Sequence, residues 1–252
     1  MANRRFCEWA LRGDKYTMAK ELRSLRKEIK YVVPFAKALE IRDQLDRLLQ
    51  RDSHCVDGPY VVRSLYFDSV NNIDFAQKLA GVMDRKKVRL RIYDGDASLC
   101  KLEIKQKTDD RQQKLSLIVS ETDAAEISRG NLKALRKYFN SSETALKAYG
   151  IMAQGQYRPV VQVAYDRLAY RYPMYDTRIT LDSNVRASES NMDLFSSEIR
   201  YTPVMRENVV LEVKYSGKMM GFLSAMLSQF HLTQGTYSKY CAGRQAYYDF
   251  NY

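Results

Sequence analysis

The chain has 252 residues, 45% of them hydrophobic, enough to bury one sizeable core and to point to a single domain. Its 41 Lys and Arg against 30 Asp and Glu give a formal net charge of +11, which implies an anionic partner: a polyphosphate, a nucleic acid or an acidic membrane surface. Cys7, Cys55, Cys100 and Cys241 lack the paired spacing of a zinc cluster, and no run approaches the ~18 apolar residues of a membrane helix, so free thiols and a cytoplasmic location are expected.

Residues 1–25 carry many charges around Phe6, Trp9, Leu11 and Met18 and read as an N-terminal arm, leaving 26–252 as the domain proper. Arg26 to Val33 alternates as a strand, with Glu28 and Lys30 on one face and Ile29, Tyr31 and Val33 on the other, stopped by Pro34. From Phe35 to Gln50, apolar residues recur at helical spacing. Tyr60 to Asp68 is a strand rich in β-branched and aromatic residues, with Arg63 interrupting an apolar face. A short helix over Asn71 to Leu79, ended by Gly81, follows.

Lys87 to Lys107 is a hairpin with one charged face. Lys87, Arg89, Arg91 and Tyr93 alternate with Val88, Leu90 and Ile92, Asp94-Gly95-Asp96 turns, and Lys101, Glu103, Lys105 and Lys107 alternate with Leu102 and Ile104. Lys101 and Lys107, near the strand ends, read as rim charges. Gln113 to Ser120 repeats the pattern with Lys114, residues 123–149 are helical in periodicity, and Arg158 to Tyr172 places Val161, Val163, Tyr165 and Arg167 together. Thr177 to Asp182 carries Arg178, Thr180 and Asp182 on one face, and Asn208 to Ser216 carries Val210, Glu212 and Lys214. A helical stripe from Met219 to Phe230 and a second helix near Tyr237 end the chain.

A sheet with one wetted face would explain a single charged hairpin. Recurrence argues otherwise, because strand after strand pairs a full apolar face with cations. The fold expected is α+β, a closed antiparallel β-barrel of about eight strands with helices packed outside and the charges lining a basic tunnel. Two like charges 4 Å apart repel by about 4 kcal/mol at an effective dielectric of ~20, so such a tunnel calls for a polyanion inside it.

Seven segments in order, RSLYFD (63–68), VRLRIYDG (88–95), LEIKQK (102–107), YDRLAY (165–170), RITLD (178–182), VVLEVKYSG (209–217) and SKYC (238–241), together resemble the VTC-type polyphosphate polymerase domain in its stand-alone form. That family is a branch of the CYTH-like triphosphate tunnel metalloenzymes. The resemblance implies an ATP-polyphosphate phosphotransferase that moves the γ-phosphoryl group of ATP onto phosphate or polyphosphate, with Mn²⁺ or Mg²⁺ as cofactor. It implies Arg89, Arg91, Lys105, Arg178 and Lys214 as catalytic cations and Lys30, Arg63, Lys114, Arg167, Ser238 and Lys239 as phosphate-binding residues. Glu212 matches the metal ligand. This chain departs from the family where Thr236 replaces a lysine of the eukaryotic members, and its Arg26-Lys27-Glu28-Ile29-Lys30 lacks the first carboxylate of the hydrolytic cousins' Glu-x-Glu-x-Lys.

A phosphate acceptor is already anionic and needs no general base, whereas a hydrolase must orient and deprotonate water. Few carboxylates accompany these cations, which favours transfer over the alternative, a metal-dependent triphosphatase. A non-catalytic binder of polyphosphate or nucleic acid is the other alternative. Base stacking would need aromatics among the cations, and Tyr31, Tyr66 and Tyr215 read as lying on apolar faces, so nucleic acid is not expected. The implied partners are ATP and polyphosphate, with no membrane span and any membrane recruitment left to a partner protein.

Overall fold

The computed structural model describes residues 26–55, 57–94, 96–108 and 111–248; the expected arm over 1–25 lies outside them. Ten strands form one antiparallel sheet: β1 (Arg26–Pro34), β2 (Gln50–Arg51), β3 (Tyr60–Asp68), β4 (Arg85–Tyr93), β5 (Asp96–Thr108), β6 (Arg111–Val119), β7 (Arg158–Tyr172), β8 (Thr177–Ser188), β9 (Thr202–Met205) and β10 (Asn208–Ser216). The main path runs β1-β10-β8-β7-β3-β4-β5-β6, with β2 beside β7 and β9 beside β8. The helices are α1 (Phe35–Leu48), α2 (Ile73–Leu79), α3 (Glu121–Ser128), α4 (Glu143–Gln154), α5 (Gly221–Ser228) and α6 (Lys239–Tyr248).

The sheet curls but does not close, which corrects the closed barrel expected from sequence. Among the described residues β1 and β6 form no ladder. The free side of β1 is engaged instead by the segment after α5, where Tyr31 bridges Gln234 and the Gly235 N–H donates to the Lys30 carbonyl at 2.9 Å. Only side chains reach toward the other half, Lys105 of β5 donating to Glu28 of β1 at 3.4 Å. The result is an open half-barrel with helices on its convex side.

Alternation decides what that convex side buries. Leu65, Phe67, Val88, Leu90, Ile92, Leu102, Ile104, Leu115 and Leu117 pack against Ile127, Leu135 and Met152 in one apolar layer. A second cluster sets Ile41 and Leu45 of α1 with Ile179, Leu181, Leu211 and Val213. The helical stretch read over 123–149 is three pieces, α3, a 3₁₀ turn over Leu132–Tyr138 and α4. Ser120 caps the first, accepting from the Asp123 N–H, and Ser142 caps the last, accepting from Ala145; each cap starts a new helix.

Helix α6 lies on the concave side. The Tyr240 ring stacks on Tyr66 at 5.1 Å. A Cβ at Gly243 would sit 3.0 Å from Val163 Cγ2 and 3.2 Å from Ala187 Cβ, so a glycine lets the helix seat this closely. Buried Asp68 ties the neighbourhood together, accepting from the Ser69, Asp74 and Phe75 N–H groups at the start of α2 and from the Tyr240 hydroxyl.

Candidate active site

The strand register brings the charged positions to one surface. Tyr66 pairs with Arg89, Arg89 with Glu103, Lys105 with Lys114, Tyr60 with Arg167, Arg167 with Asp182, Lys214 with Arg178 and Lys30 with Glu212. Partners across a ladder share a face, so these side chains line the concavity. It is a cavity of about 710 Å³ whose walls carry eleven Lys and Arg and four Glu, before counting Asp182 beneath the surface. A surplus of that size would be self-repelling without an anionic occupant.

Each buried carboxylate organises several cations. Glu103, 2% exposed, accepts from Arg89 Nε at 2.7 Å and pairs with Lys114 and Arg91. Burial works to raise its pKa, but Arg91 and Lys114 outweigh that and hold the carboxyl below its ordinary value. Arg89 is fixed further by the Tyr66 hydroxyl, to which it donates at 3.0 Å. Asp182 takes both arms of Arg167, at 2.7 and 2.8 Å, and Lys239 at 2.6 Å. Full burial opposes its ionisation, yet Arg167 and Lys239 bring its pKa down to about 2.

At the β1–β10 pair, Glu212 is buried between Lys214 and Lys30, the latter 3.6 Å away, while Glu28 holds Lys30 at 2.7 Å. Desolvation penalises the Glu212 carboxylate, and Lys214 and Lys30 more than compensate, leaving it well below the usual range. Glu212 therefore stands ionised, with Glu28 as a neighbouring carboxylate. Mg²⁺ and Mn²⁺ are commonly held by one or two carboxylates plus substrate phosphate oxygens, and this pair supplies that donor set. No cluster of three or more His, Cys, Asp or Glu occurs among the described residues, so substrate oxygens would have to complete the shell.

Two lysines are left short of compensation. Burial, and after it the like charges of Lys30 and Lys214, pushes the Lys105 ammonium below its ordinary pKa despite Glu28. Burial likewise lowers Lys87, whose Nζ donates to Ser238 Oγ at 2.7 Å. The Nε atoms of Arg91 and Arg178 are buried without a hydrogen-bond partner among the described residues.

The sequence matches a family model for the VTC domain over residues 25–248. The chain belongs to the VTC domain family. Among solved structures, this VTC domain resembles a "putative adenylate cyclase" of Bacillus halodurans (TM-score 0.50, 15% identity, 85% of this chain and 93% of that one). It also resembles a "putative adenylyl cyclase" of Hippeastrum described as having a dominant triphosphatase activity (TM-score 0.53, 16% identity, 87% and 95%). At such identities the likeness is one of fold. A search of curated proteins returned no match.

Eleven of the twelve residues expected at the VTC site meet in the cavity: Lys30, Arg89, Arg91, Lys105, Lys114, Arg167, Arg178, Glu212, Lys214, Ser238 and Lys239. Arg63 does not. Its ladder partners are Ile92 and Ala164, and its guanidinium donates to the Leu194 and Ser196 carbonyls at 3.0 and 2.8 Å, so it braces a loop on the convex side. Lys101, read as a rim charge, lines the cavity and lies 5.3 Å over the Tyr93 ring. Tyr66, read as apolar-face packing, is concave. Asp52 was not foreseen. It is 1% exposed and holds Arg178 at 3.1 Å and Arg171 at 2.9 Å from a loop with no strand periodicity to announce it.

Proposed function

We propose that this VTC domain is a polyphosphate polymerase, an ATP-polyphosphate phosphotransferase that moves the γ-phosphoryl group of ATP onto phosphate or a growing polyphosphate. The carrying observation is the eleven-to-four excess of cations over carboxylates in one cavity, with Glu28, Glu103 and Glu212 each already paired to lysine or arginine. Such a surface holds two anionic reactants side by side. Of its four carboxylates only Glu143, in the first turn of α4, stands outside these pairs.

In the proposed reaction an oxygen of the acceptor phosphate forms a bond to the γ-phosphorus as the bond to the β,γ-bridging oxygen breaks, and ADP departs with that oxygen. Arg89 and Arg91, held by Glu103, and Arg167 and Lys239, held by Asp182, keep their guanidinium and ammonium groups rigid around the transferring group. Lys105 and Lys87 gain most from a polyanion, since it offsets their desolvation. Arg178, Lys214, Lys30, Lys114 and Ser238 bind the remaining phosphates. Glu212, with Glu28 beside it, would hold Mn²⁺ or Mg²⁺, which supplies neutralisation of phosphoryl-oxygen charge when bound.

The Glu28–Glu212 pair sharing Lys30 favours one rival, a triphosphatase that uses the second carboxylate toward water. Incubation with ATP and Mn²⁺ and separation on a gel decides between them. A ladder of polymer is expected; release of orthophosphate with no polymer would assign the hydrolase.

A further inference from the structure

Helix α2 carries an apolar face that packs on none of the described residues. Its buried side chains are Asp74 and Phe75, the former hydrogen-bonded to Tyr157 and the latter set edge-on against Tyr240. On the other side Ile73, Ala76 and Ala80 follow one another at helical spacing and are all exposed. Val70 before the helix and Leu79, Val82 and Met83 at its end extend the patch, and these with Ile73 are 39–53% exposed. Five large apolar side chains exposed within fourteen residues are not scattered surface hydrophobics but a patch.

The patch has a cationic border. Residues 78–87 read KLAGVMDRKK, with Asp84 the sole acid. Arg85 Nη1 donates to the Val82 carbonyl at 2.6 Å, fixing its guanidinium beside the exposed turn, and Lys78 flanks the helix, whereas Lys86 reaches inward to Asp74 at 3.4 Å. Lys87 turns away into the cavity and belongs to the phosphate site. Aliphatic side chains projecting from a short helix and turn, rimmed by lysine and arginine, match the boundary between anionic headgroups and acyl chains. A second copy of the chain is a poor occupant, since each copy is charged +11 and would set one cationic border against another.

We infer that the α2 face, Val70, Ile73, Leu79, Val82 and Met83 with Lys78 and Arg85, is a docking surface for an anionic lipid bilayer. The inference does not depend on the reaction performed in the cavity. It replaces recruitment by a partner protein with direct, peripheral attachment. No helix among the described residues is long and apolar enough to cross a membrane, so the attachment is to the surface only.

Co-sedimentation of the full chain with phosphatidylcholine vesicles, with and without phosphatidylglycerol, tests it. Binding is expected to the anionic vesicles alone, and to persist when inorganic tripolyphosphate fills the cavity. Leu79→Asp with Met83→Asp should weaken partitioning at least about tenfold, and Lys78→Gln, which leaves the apolar side chains intact, by roughly fivefold. Both variants should keep the wild-type melting temperature and tripolyphosphate affinity. No vesicle binding, binding abolished by tripolyphosphate, or binding unchanged in the Asp variant would overturn the proposal. A concentration-dependent dimer lost in the Asp variant, or retention only by an acidic protein partner, would also overturn it.

Discussion

Glu103 illustrates how single residues are used in this cavity. Three cations converge on one carboxylate that is 2% exposed, so its neutralisation leaves Arg89, Arg91 and Lys114 to repel one another in a desolvated wall. Glu103→Gln is expected to cost about 3–5 kcal/mol of stability, as losing one partner of a buried ion pair does, and tripolyphosphate should restore much of it by supplying the missing negative charge; thermal melts with and without tripolyphosphate measure both. Glu212→Gln should behave differently. It should lower polymer synthesis by roughly 100-fold or more while calorimetric tripolyphosphate binding without metal stays intact or tightens, since a competitor for Lys30 and Lys214 is removed. Lys105 sets a pH dependence. Its pKa is depressed in the free protein and must rise when a polyanion binds. Affinity should therefore be constant below the depressed pKa and fall as the pH rises through it, with net proton uptake on binding visible in buffers of different ionisation heat.

Elements differ in how openly they declare themselves. The period-two alternation of β3 to β7 and β10 and the helical stripe of α1 are legible in the chain because one face of each is buried in an apolar layer. Arg63 shows the limit of that reading. Alternation places it on the apolar side of β3, and that side is where it lies; the family resemblance alone groups it with the phosphate-binding cations. The extension of β8 to Ser188 and the four-residue β9 carry too little pattern to be read, and Asp52 sits in a loop whose role depends on where β7 and β8 bring Arg171 and Arg178. Helix α6 has the opposite character: a helix is expected near Tyr237, but its position on the concave side is not legible, being fixed by a glycine and a tyrosine hydroxyl. Gly243→Leu should force α6 off Val163 and Ala187, costing about 1–3 kcal/mol and weakening tripolyphosphate binding through displacement of Ser238 and Lys239.

The whole molecule is held at neutral pH partly by carboxylates that would be lost in acid. Glu28, Glu103 and Glu212 all lie below their ordinary values, and Asp182 falls from 3.8 to about 2. Their folded-state pKa values are depressed, so the stability they provide is complete above the ordinary carboxylate range and disappears as the pH falls through the folded values. Asp74 acts in the other sense, because burial pushes it up to about 6 and its ionisation costs stability as the pH rises from 3.8 through that value. Melting temperature against pH should accordingly drop steeply below about pH 4, and the advantage of Asp74→Asn over wild type should grow as the pH rises from 3.8 to about 6 and level off above that.

The seam between the two edges of the curl gives the molecule a mechanical property that a closed barrel lacks. Neighbouring strands of the main path are joined by ladders of backbone hydrogen bonds, whereas here the half carrying β5 reaches the half carrying β1 through Lys105 and Glu28, a partly exposed ion pair worth about 0–1 kcal/mol, with Lys87 of β4 reaching Ser238 beside it. Prising apart a strand ladder would cost many times that, so the girth of the cavity is adjustable at this one line. On the proposed reaction, opening along this line would admit polyphosphate sideways along its length, with no need to thread it from an end.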